Sequence, residues 1–173
     1  MPPRIIIDGY NLIRQSPDLR RYDNQEVARG REKLVALLAS YRALKPCPMT
    51  VVFDGWNEGA LTEQHSREKG IEIIYSRRGE KADEVIKRLV FQARAEVIVV
   101  TSDREIGLFC KGRRCEVIPS PLFEERVAFA RYAAHKGGPE NEEPLPPRTT
   151  RKKGPAKKQP KSKRRQLAQL KKL

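Results

Sequence analysis

Five short apolar runs rich in β-branched residues punctuate the first two thirds of the chain: RIIID at 4–8, MTVVF at 49–53, IEIIY at 71–75, EVIVV at 96–100 and CEVI at 115–118. Between them the apolar positions change to a helical period. In NQEVARGREKLVALLASYRAL the period places Val27, Leu34, Leu37, Leu38, Tyr41 and Leu44 on one face, and Pro46 and Pro48 end the helix. KADEVIKRLVFQAR repeats the pattern with Val85, Ile86, Leu89, Val90 and Ala93, and DREIGLFCKG and LFEERVAFARYAA supply two more helices. Strands that are apolar throughout, alternating with helices, belong to a parallel sheet covered on both faces. The fold expected is α/β, a three-layer sandwich around a parallel sheet of about five strands.

The pattern stops near residue 135. From Lys136 the chain reads KGGPENEEPLPPRTTRKKGPAKKQPKSKRRQLAQLKKL, too poor in large apolar groups to offset its ordering entropy. Two regions follow: a folded domain over 1–135 and a disordered Lys/Arg/Pro-rich tail over 136–173. The tail carries 13 of the 36 basic residues and 3 of the 22 acidic ones, a net +10, which leaves +4 on the domain. A flexible cationic arm gains from phosphate contacts and counterion release, so a polyanion is the expected partner. RNA fits better than a membrane surface because the tail lacks a bulky apolar face. The closing SKRRQLAQLKKL has the pattern of a short amphipathic helix for a partner.

No run approaches the roughly 20 apolar residues that span a bilayer, and no signal-peptide core is visible, so no membrane role and a cytoplasmic location are expected. Cys47, Cys110 and Cys115 suggest neither a disulfide framework nor a zinc site and read as reduced thiols in or near the core. His65 and His135 are too few for a histidine metal site.

What changes the picture is where the acids fall. Asp8, Asp54 and Asp103 end strands, while Asp83 and Glu84 open the helix that precedes the fourth strand. In a parallel sheet the carboxyl ends of the strands share one rim, where open α/β sheets bind ligands at the reversal of strand order. Each acid also has a structural account as helix cap, dipole partner or turn former. Gathered together, however, they repel one another unless a cation holds them. An all-oxygen set favours Mg²⁺ or Mn²⁺, and such ions suit phosphodiester hydrolysis. Asn11, near Asp8, is placed to orient a carboxylate or to meet a phosphate without adding charge.

IDGYN, VFDG, KADE and VVTSDRE, in this order on alternating strands and helices, resemble the YacP-like NYN-domain family of PIN-like metal-dependent nucleases. The likeness covers about residues 4–134 and leaves the tail outside it. It implies a PIN-like sandwich of strand order 3-2-1-4-5 and Mg²⁺- or Mn²⁺-dependent endoribonuclease activity on single-stranded RNA, with RNA decay or processing as context. By position, Asp8, Asp83 and Asp103 would hold metal, Asn11 and Glu84 would assist, and Asp54 would support. The resemblance also makes the ribosome a candidate partner, since some family members act on RNA there.

Arg77, Arg78 and Lys81 before Asp83, and Arg104 after Asp103, are candidates to grip RNA phosphates, with solvated arginines as the plain alternative. Tyr10 and Trp56 flank carboxylate motifs and are candidates to stack on bases, although core packing or loop anchoring suits Trp56 better. Two rivals stand beside the ribonuclease. A non-catalytic RNA- or ribosome-binding protein explains the tail but gains nothing from acids in an RNA groove. An aspartyl-nucleophile phosphatase needs an aspartate two residues after the first, where this chain has Tyr10.

Overall fold

The first apolar run becomes the centre of the sheet. In the computed structural model, which describes residues 2–55 and 60–136, β1 (Arg4–Asp8) pairs in parallel with β2 (Met49–Phe53) on one side and with β5 (Val97–Val100) on the other. β4 (Ile71–Tyr75) extends the sheet beyond β2, and β6 (Cys115–Ile118) extends it beyond β5, both in parallel. These five strands stand in the expected order.

A sixth was not expected. β3 (Gln64–Glu68) adds an antiparallel edge strand to β4, giving the order β3-β4-β2-β1-β5-β6. Its sequence, QHSRE, is exposed throughout, so it has no buried face to impose an apolar pattern. Main-chain bonding to β4 and a two-residue turn define it. Lys69 (φ 50°) and Gly70 (φ 80°) make that turn, with the positive dihedrals that hairpins favour.

Alternation along each strand divides the core in two. Ile5, Ile7, Val51, Phe53, Ile73, Ile98 and Val100 face a layer that includes α3 (Val27–Leu44) and α6 (Ser120–Lys136). Ile6, Val52, Ile74, Val97 and Val99 face α4 (Ala82–Gln92) and α5 (Arg104–Cys110). Because both faces are covered, both sets of alternate positions are mainly apolar, and the polar exceptions Arg4, Thr50 and Glu72 bond to one another across β1, β2 and β4. Tyr41 and Phe123 meet edge to face, with ring centroids 5.7 Å apart, where α3 packs on α6.

The first helical layer is more finely divided than its pattern suggests. Before α3 come α1 (Gly9–Gln15) and α2 (Pro17–Asp23), with Ser16 ending one and capping the other by accepting from Leu19 N–H. Pro17 at the first helical position completes a local start signal. Val27 and Leu44, expected to point inward, are exposed because they lie at the two ends of α3, beyond the reach of the sheet. The three cysteines are free and buried. Trp56 and the tail over 137–173 lie outside the described residues, as do the expectations placed on them.

Candidate active site

Asp8 is both the last residue of β1 and the cap of α1. One carboxylate oxygen, Oδ1, accepts from Asn11 N–H at 3.1 Å, and Oδ2 accepts from the Thr101 hydroxyl at 3.1 Å. The glycine after it is required by space. A Cβ on Gly9 would run into the Phe53 ring, so any larger residue would push α1 away from the rim. The sharp end of the isoleucine run is therefore a strand-to-helix corner built around one carboxylate.

Asp103 makes a second such corner, capping α5 by accepting from Glu105 N–H at 2.6 Å. Thr101, fully buried between the two, donates to Asp8 and accepts from Asp103 N–H at 3.1 Å. The capping accounts of Asp8 and Asp103 therefore hold, and the same geometry brings the acids together. Parallel pairing places Ile7 beside Val100, so the residues that follow them, Asp8 and Thr101, are neighbours at the point where strand order reverses. Asp83 arrives in the first turn of α4, whose N-terminus lies at this same rim.

Asp8, Asp54, Asp83 and Asp103 line one cavity of about 300 Å³ together with Tyr10, Asn11, Arg14, Gln15 and Ala82. None of Asp8, Asp83 and Asp103 forms an ion pair among the described residues. Burial, against the Asn11 and Thr101 hydrogen bonds and with added repulsion from Asp83 and Asp103, raises the Asp8 carboxyl to a pKa of about 6. Asp83 is raised as well, first by burial and then by Asp103, with Lys87 and Lys81 opposing. These are the marks of a negative cavity short of compensating charge.

The donor set suits a hard cation, being carboxylate oxygen throughout. Among the described residues no three acidic, histidine or cysteine side chains close into a direct ligand cluster.

The other expected residues are distributed more widely. Asn11 engages its Oδ1 with Ser102 N–H (3.0 Å), Ser120 Oγ (2.8 Å) and Gln15 Nε2 (3.1 Å), which ties α1 to the start of α5 and α6. Glu84 does not line the acid cavity. It lines an adjoining recess of about 520 Å³ with Leu61, Gly79, Glu80, Arg77, Arg78 and Lys81. Arg77 approaches Glu80 at 3.4 Å, and Arg88 pairs with both Glu80 and Glu63. Arg104 is exposed and lines neither space. Arg14, Gln15 and Thr101 belong to the site but were not singled out from the sequence. Thr101 stood within VVTSD, and Arg14 falls one helical turn beyond Tyr10, so spacing carried a signal for both.

Comparison with known proteins agrees with this architecture. The Bacillus subtilis (strain 168) protein YacP, described as uncharacterized, is 28% identical over 102 residues, 57% of this chain and 59% of its own length. The chain thus matches less than two thirds of that relative. The crystal structure of Rae1 (YacP) from Bacillus subtilis superposes with a TM-score of 0.62 at 23% identity, covering 79% of each chain. A mutant form of the same protein gives 0.66 at 21% identity over 78% of this chain and 80% of that one. At such identities the superpositions establish the fold. The family model for the YacP-like NYN domain matches residues 5–173, and so runs through the basic tail, farther than the four motifs reach. This chain belongs to the YacP-like NYN domain family.

Proposed function

We propose that the protein is a metal-dependent endoribonuclease that cleaves single-stranded RNA at the rim of its sheet. Membership of the NYN family supports a nuclease-like, RNA-related activity. The observation that carries the finer reading is the cavity itself, where four carboxylates from separate parts of the chain meet at the reversal of strand order. Asp8, Asp83 and Asp103 would hold Mg²⁺ or Mn²⁺, and Asp54 would support them. When bound, the ion supplies Lewis acidity toward a phosphodiester and lowers the pKa of a coordinated water.

The chain's own residues do the rest. Thr101 braces both corners, donating to the Asp8 carboxylate and accepting from Asp103 N–H, so that neither corner turns away when charge enters the cavity. Asn11 holds α1 against the β5–α5 corner and keeps that geometry closed. Lys81, Arg78 and Arg77 line the recess beside Asp83 and lie where phosphates flanking the cut would need neutralising. The ribosome is a candidate setting for the substrate, which a basic tail of net +10 suits.

The test is incubation of the purified protein with single-stranded RNA, single-stranded DNA and ribosome-bound RNA, with Mg²⁺, Mn²⁺ or chelator. Asp8→Asn, Asp83→Asn and Asp103→Asn are run beside the parent. Endonucleolytic cuts that need metal and all three acids are expected. If all three variants cut like the parent, the site is misplaced. Binding of RNA or ribosomes with no cleavage in any condition leaves the non-catalytic reading.

A further inference from the structure

We infer that Arg14 and Arg31, braced on either side of Tyr10, form a phosphate-binding lip for RNA on the α1–α3 side of the acid cavity; the inference rests on the ribonuclease reading. The Arg14 guanidinium lies over the Tyr10 ring at 5.7 Å and lines the cavity. Arg31, from α3, donates from Nη1 to the Tyr10 hydroxyl at 3.3 Å and lies over the Tyr75 ring at 5.6 Å. Both cations are thus fixed to one aromatic post at the edge of a strongly negative space.

The post is itself rigid. Tyr10 packs edge to face on Phe53 with centroids 5.2 Å apart, and Phe53 stacks on Tyr75 at 5.4 Å and 22°. A guanidinium held over an aromatic face keeps its in-plane N–H donors available, and less freedom is lost when it meets a phosphate. Arg31 uses one of its five donors on Tyr10, and Arg14 makes no side-chain hydrogen bond or ion pair among the described residues. The remaining donors match the bidentate geometry of a phosphodiester.

Charge and position argue for RNA as the occupant. Four carboxylates repel a polyanion, so a strand crossing the cavity must be held by cations at its edges. Arg77, Arg78 and Lys81 supply them next to α4, on one face of the sheet. α1 and α3 pack on the opposite face, so Arg14 and Arg31 supply them on the other side. Tyr10 is then a positioning residue for the two arginines rather than a platform for bases.

A short labelled single-stranded oligoribonucleotide, titrated in chelator over a range of salt, separates binding from cleavage. Arg14→Ala and Arg31→Ala are expected to bind about tenfold more weakly. Each should also lower the slope of log K against log salt by roughly 0.7, one phosphate's share on a single strand. Arg14→Lys should restore most of the slope, and Tyr10→Phe, which removes only the Arg31 anchor, should weaken binding less than Arg31→Ala. Arg94→Ala, at the far rim after α4, should leave the slope near the parent's. A packing role would alter the melting temperature and leave the slope alone. If the parent binds and both alanine variants match its affinity and slope, the lip is wrong and the ribonuclease reading stands. If the parent binds no RNA, both fall.

Discussion

Replacing Asp8 by Asn asks what the carboxylate at the centre of the site costs the fold. Its pKa is raised from 3.8 to about 6, about two units, and each unit is worth about 1.36 kcal/mol, so the ionised group destabilises the native state by about 3 kcal/mol at neutral pH. Asn keeps the shape and is as good a helix cap, so the Asn11 N–H remains satisfied. Its amide nitrogen, standing where Oδ2 was, cannot accept from the Thr101 hydroxyl, at a cost of about 1 kcal/mol. The net expectation is a gain of about 2 kcal/mol at pH 7.5 without metal, or about 5–10 °C in Tm for a domain of this size.

The sign depends on pH. A carboxyl with a folded pKa above its unfolded value contributes stability that is complete below about pH 4 and lost as pH rises through about 6. Asp8→Asn should therefore gain most above pH 7, gain less near pH 5, and become slightly less stable than the parent below pH 4. Thermal melts of both proteins in chelator at these pH values provide the measurement. Millimolar Mn²⁺ should then reverse the order at pH 7.5, since a ligand at a hundredfold excess over Kd adds about 2.7 kcal/mol to the form that binds it. A variant destabilised equally at every pH, with or without metal, would show that Asp8 is only a cap and would refute the argument.

Thr101→Val should raise the Asp8 pKa further, because a hydrogen bond that favours the carboxylate is removed; a carboxyl NMR titration in chelator reads it. Gly9→Ala should cost about 1–3 kcal/mol by forcing the Phe53 ring aside, measured by urea unfolding, and should depress cleavage because α1 carries Tyr10, Asn11 and Arg14. Gly70→Ala, at φ 80° against the Arg42 guanidinium, should loosen the β3–β4 hairpin, seen as faster amide exchange over 64–75 with the acid cavity unaffected. Truncation after Lys136 should leave the melting temperature unchanged and flatten the salt dependence of RNA binding by roughly 0.7 for each phosphate that the tail had neutralised.

The amino-acid sequence alone determined the five parallel strands and the two-sided cover of helices, because strands buried on both faces read as near-continuous apolar runs; the likeness of the four motifs added the strand order. It also determined which acids stand at strand and helix ends, since a carboxylate that closes an isoleucine run is visible without coordinates. β3 was not legible. Its five polar, exposed residues are held by main-chain pairing, which leaves almost no mark on side-chain pattern. The division of the first helical layer at Ser16 and Pro17 was legible in principle, as a cap followed by proline, but lay outside the dominant apolar period.

What the tertiary structure decided was the company each residue keeps. Asp83 and Glu84 are adjacent in sequence, yet the helical turn of about 100° per residue sends one to the acid cavity and the other to the neighbouring recess. Asn11 reads as a group to orient a carboxylate or meet a phosphate; the fold sets it on the acid cavity and also has it join three elements through one oxygen. Arg31 lies 21 residues beyond Tyr10 and reaches it only because α3 packs against α1. Such pairings depend on how layers dock, and docking is set by the summed shape of the core rather than by any local run of residues.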